Sequence, residues 1–152
     1  MFKSQVSFST VLLLFTSSAS LFLGFSIYIF LRVTPTWFEV LLFNMTGVDT
    51  QQLVLSYNLS NNFVELLNNH GADFFWMMSL SLGFLYFFSN TNSAGIRKYL
   101  AFFYLSLLGI FLELGQKFGF LPGTFDAYDI VTFNIAIGLS YCCFSIIKKV
   151  GS

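Results

Sequence analysis

The stretch FLELGQKFGFLPGTFDAYDIVTFN, residues 111–134, places the acids Glu113, Asp126 and Asp129 close together in an otherwise apolar chain, with Gln116 and Asn134 as neutral hydrogen-bonding residues. A further acid, Asp73, opens another apolar run at residues 74–88. Carboxylates gathered in this way can bind a cationic group. They can also divide general base and general acid roles, or hold a metal jointly. Each acid has a blander explanation as well. Asp73, Asp126 and Asp129 all sit where a helix would begin, and a carboxylate there meets spare N–H groups and the positive end of the helix dipole. Glu113 lies toward the C-terminal end of its apolar run, where the dipole disfavours an anion. An acid near lipid costs up to roughly 3 kcal/mol. Lys117, four residues on, offers an ion pair in the favourable Glu-then-Lys order, and Gln116 shares that helical face. Asn134 reads equally as packing glue between helices or as a wall of a site. His70, beside Gly71, reads as a loop residue at the surface.

These residues need elements to hold them. Aromatic residues make up 20% of the chain and charged residues 9%, too little charge to cover a soluble domain. Four long apolar runs lie at residues 11–31, 74–88, 99–112 and 130–147. A spanning helix needs about 20 residues. The expected fold is therefore all-α, a single polytopic membrane domain over residues 1–152, with spans at about 10–31, 73–89, 99–119 and 129–147. The third run is long enough only if its helix continues through Glu113 and Gln116, ending near Gly119 to Pro122 where stop signals occur. The outer loop, 32–72, carries a capping-box pattern at Thr36-Trp37-Phe38-Glu39 and apolar faces at helical spacing. It reads as short interfacial helices lying on the membrane.

Lys and Arg set the orientation. With four spans, one side collects Lys3, Arg97, Lys98, Lys148 and Lys149, and the other only Arg32 and Lys117. Both termini are expected in the cytoplasm. All seven acids then fall on the outer side. The first run continues well past the small-residue stretch Ser18-Ala19-Ser20, so an uncleaved span is expected rather than a signal peptide. Adjacent Cys142 and Cys143 lack any ligand or C-x-x-C spacing and read as packing residues. Balanced charge gives no footprint for nucleic acid.

Glu113-x-x-Gln116, the turn Gly123-Thr124-Phe125-Asp126, Asp129, and Asn134 with Gly138 together resemble the VanZ-like membrane proteins. Asp73-Phe74-Phe75-Trp76 resembles the start of that family's second helix. Thr124 stands where the family usually has Arg. The resemblance implies a small integral protein of a bacterial inner or cytoplasmic membrane, in a family whose namesake is linked to glycopeptide antibiotic tolerance. The expected function is an outward-facing carboxylate pocket, formed by Glu113, Gln116, Asp126, Asp129, Asn134 and Asp73, for a polar or cationic headgroup or a lipid-linked envelope precursor. Membrane lipids are the expected partners. The alternatives are a non-catalytic subunit packed into a larger membrane complex, and a carboxylate-dependent membrane enzyme. No nucleophile elbow, His-rich metal site or phosphate-cradling Gly loop occurs, which weighs against catalysis. Neither a cofactor nor a metal is expected.

Overall fold

A backbone surrounded by hydrocarbon has no water to bond, so an apolar run crosses it as a helix that satisfies its own N–H and C=O groups. The computed structural model describes residues 8–31, 43–47, 65–89, 94–121 and 124–150. Four long helices account for most of them: α1 (Phe8–Phe30), α2 (Ala72–Ser89), α3 (Ala94–Lys117) and α4 (Ala127–Val150). Four helices are long and apolar enough to span a membrane, and no strand occurs among the described residues. The 24 residues of α4 rise about 36 Å, more than the ~30 Å hydrocarbon thickness. The chain has the architecture of an integral membrane protein.

The second helix starts earlier than the sequence suggested. A π-helical turn, Leu67–Gly71, runs into α2 without a break, because Leu66 and Ala72 on either side both keep right-handed helical backbone. Asn68-Asn69-His70-Gly71 has the composition of a loop. Here it is a widened turn of helix. An extra residue in the helical register rotates everything before it by about 100° relative to α2. Of the interfacial helices expected in the first loop, residues 43–46 form one exposed helical turn. The remainder of that expectation, at 32–42 and 48–64, lies outside the described residues.

α2 is the centre of the bundle, packing on α1, α3 and α4. One core cluster joins Leu13, Leu82, Leu85, Phe144 and Ile147, and a second joins Met77, Leu105, Phe133, Ala136 and Ile137. Met78 packs against both. Between helices, packing and hydrogen bonds replace the hydrophobic effect, since lipid is as apolar as the core. Serines supply those bonds. Ser17 Oγ donates to the Ser79 carbonyl at 2.9 Å, tying α1 to α2. Ser140 Oγ approaches the Met78 carbonyl at 3.2 Å, tying α4 to α2. The outward faces carry large apolar side chains such as Phe22, Phe87, Phe103 and Phe111, as a lipid-facing surface should.

Helix α3 runs through Glu113 and Gln116, as expected from the sequence, and stops at Lys117, just short of the expected end near Gly119. Its end is a Schellman motif. Gly119, at φ 73°, takes the left-handed position. Its N–H bonds the Gln116 carbonyl at 3.0 Å, and the Phe120 N–H bonds the Gly115 carbonyl at 2.8 Å. The chain then doubles back and α4 begins beside α3. The start of α2, the end of α3 and the start of α4 therefore share one end of the bundle, called here the acidic end.

Candidate functional site

Asp126 caps α4. Its Oδ1 accepts the backbone N–H of Tyr128 at 2.9 Å, and its carbonyl accepts the N–H of Asp129 at 3.1 Å. In a capping box, a side chain three residues into the helix would return to bond the cap's own N–H. The residue at that place is Asp129, and it faces elsewhere. Glu113 of α3 does the job instead: its Oε2 accepts the Asp126 N–H at 3.0 Å. The box is completed from the neighbouring helix. This contact, together with the short turn, sets the end of α3 against the start of α4.

Asp129 points toward α2 and meets His70. His70 Nδ1 lies 2.6 Å from Asp129 Oδ1. With the carboxylate ionised, Nδ1 is the donor, which fixes the tautomer and leaves Nε2 as the free ring nitrogen. The π turn delivers the ring there, and Tyr128 packs beside it with ring centroids 6.2 Å apart. One donor atom from each of His70, Asp126 and Asp129 falls in a group whose members all lie within 4.8 Å of one another. Glu113 is 2% exposed and Asp129 9%. On the open side lies a groove of about 280 Å³ lined by Glu65, Leu66, Asn69, His70 and Tyr128.

Lys117 does not neutralise Glu113. Its Nζ stands over the Phe125 ring, 5.0 Å from the centroid. Among the described residues, no Lys or Arg forms an ion pair with Glu113, Asp126 or Asp129, and the one ionic contact is with His70. That contact is an ion pair only when the imidazole is protonated. The Glu–Lys pair suggested by the spacing is thus absent, and the acidic end holds three converging carboxylates with a single imidazole.

The other expected site residues lie at varying distances from this centre. Asp73 is half-buried in the first turn of α2, three residues after His70. Gln116 is half-buried near the end of α3. Asn134 accepts the Ser106 hydroxyl at 2.9 Å and donates to the Ile130 carbonyl at 2.8 Å. It ties α4 to α3 below the cluster, in the role of packing glue. His70 was missed by sequence reasoning. A signal existed: Leu66 and Leu67 before it and the apolar run after it allow one helix to pass through the polar stretch.

Chemically, the arrangement can take up a cation between its oxygens and the imidazole. It can also present His70 Nε2 as a base held in place by Asp129. No protein-family model, curated protein or solved structure matches this chain.

Proposed function

We propose that the chain is a VanZ-like protein of a bacterial inner or cytoplasmic membrane, with both termini in the cytoplasm and the acidic end facing outward. There it binds a positively charged or polar headgroup of a membrane lipid or lipid-linked envelope precursor. The reading rests on Asp129, a buried carboxylate whose ionic partner, His70, lines an open groove. Glu113 adds a second buried carboxylate that receives a neutral N–H. Carboxylates removed from water need compensating positive charge or several hydrogen bonds, and a ligand entering by the groove can provide it. The sorting of Lys and Arg and the motif resemblance support the orientation and the family assignment.

Lipid mass spectrometry on protein purified in mild detergent tests this. A headgroup class enriched with wild-type protein and lost in Asp129→Asn at equal protein yield is the expected result. The same lipids in the same amounts on both proteins would defeat it.

A further inference from the structure

We infer that His70, Asp126 and Asp129 form a binding site for a divalent transition-metal ion of the zinc, manganese or iron class. The inference rests on the reading that the acidic end takes up positive charge, and it specifies the charge carrier. It departs from the sequence expectation of no metal, because the π turn places His70 on a helix beside Asp129.

The ligands come from three separate pieces of structure: the π turn, the loop before α4, and the first turn of α4. Their donor atoms lie within 4.8 Å of one another. Metal–nitrogen and metal–oxygen bonds of about 2.0–2.2 Å place ligand atoms roughly 3–3.5 Å apart around one ion. The His70–Asp129 contact at 2.6 Å therefore opens slightly as the ion takes the place of the Nδ1 proton, which passes to Nε2 in the neutral ring. Asp126 closes in by side-chain rotation. Its cap uses one carboxylate oxygen, and the other remains for the ion.

One imidazole and two carboxylates suit zinc, manganese or ferrous iron better than calcium or magnesium, which favour all-oxygen shells. Three protein ligands leave at least one coordination position open. His70 also lines the open groove, so a water or an oxygen of a polar headgroup can approach the ion from there and complete the shell. Glu113 acts from outside it. By holding the Asp126 N–H, it fixes the backbone that carries one ligand. Groups in this supporting role change metal affinity about 10–100-fold when removed.

The test uses full-length protein in nanodiscs, stripped with chelator and titrated with zinc. One zinc per chain is expected, and at least about a 10-fold loss of affinity in His70→Ala and in Asp129→Asn. Helical circular dichroism and a monodisperse elution profile check folding. X-ray absorption on the zinc-loaded wild-type protein needs no variant, and imidazole scattering in the first shell is expected. Equal zinc affinity in the wild type and both variants, or a shell lacking imidazole, would overturn the inference. No zinc binding together with Asp129-dependent capture of amine-headgroup lipid would overturn the metal and leave the cationic-headgroup reading standing. Neither zinc nor lipid binding would overturn both.

Discussion

Glu113 on α3 accepts the backbone N–H of Asp126, the residue that caps α4, at 3.0 Å. This gives Glu113 a structural reason to stand at the C-terminal end of its own helix, where the dipole disfavours it. Its partner is the positive end of the next helix, which offsets that cost.

Replacing Glu113 should therefore separate shape from charge. Glu113→Ala leaves the Asp126 N–H without its acceptor in a half-buried place, for a loss of about 1 kcal/mol or more. Glu113→Gln keeps an acceptor oxygen and should lose less than half as much. Thermal unfolding in detergent compares the two. Equal destabilisation would mean that the carboxylate charge, and not the bond to Asp126, holds α3 to α4.

Asp126 should divide in the same way. Asp126→Ala removes the cap on Tyr128, costing about 0.5–2 kcal/mol and fraying the first turn of α4. Asp126→Asn keeps the cap while removing a charge. Hydrogen exchange should show the Tyr128 amide deprotected in the first variant and near wild type in the second. Fast exchange in both would show that the ionised carboxylate is essential to the cap.

Lys117 should matter little. It lies over Phe125 and not on an acid, so Lys117→Ala should cost about 0.5–1 kcal/mol. In a double-mutant cycle with Glu113→Gln the two effects should add. A coupling energy well above about 0.5 kcal/mol would restore the Glu–Lys pair that the spacing suggests.

The orientation is open to labelling. With Cys142 and Cys143 replaced by serine, a cysteine introduced at Asn58 should react with a membrane-impermeant reagent from outside, and one at Asn92 should not. Labelling at Asn92 alone would invert the topology and turn the acidic end toward the cytoplasm.

The helices were legible because hydrophobic run length is a strong signal and the bilayer permits few alternatives. The end of α3 was legible too, since Gly119 and Pro122 are local stop signals. The pairing of partners was less so. Lys117 stands at the right spacing for Glu113, but spacing says nothing of Phe125, which folds back from the next loop. His70 escaped notice for a related reason. A π turn leaves no periodicity of its own, being one residue out of step with α2, and Asn and Gly around it suggest a loop. The convergence of Glu113, Asp126 and Asp129 followed from the short connection between α3 and α4. The fourth member came from 59 residues before Asp129, a distance no local pattern reports.

The trans-completed cap also bears on how the protein is made. The chain is synthesised from its N-terminus, so His70 and Glu113 leave the ribosome before either of their partners does. Glu113 waits for an N–H that lies 13 residues ahead, and His70 for Asp129. Until α4 is inserted, the third span carries an unmet carboxylate near lipid. A chain cut short before Asp126 would leave that carboxylate without the N–H that accounts for its place.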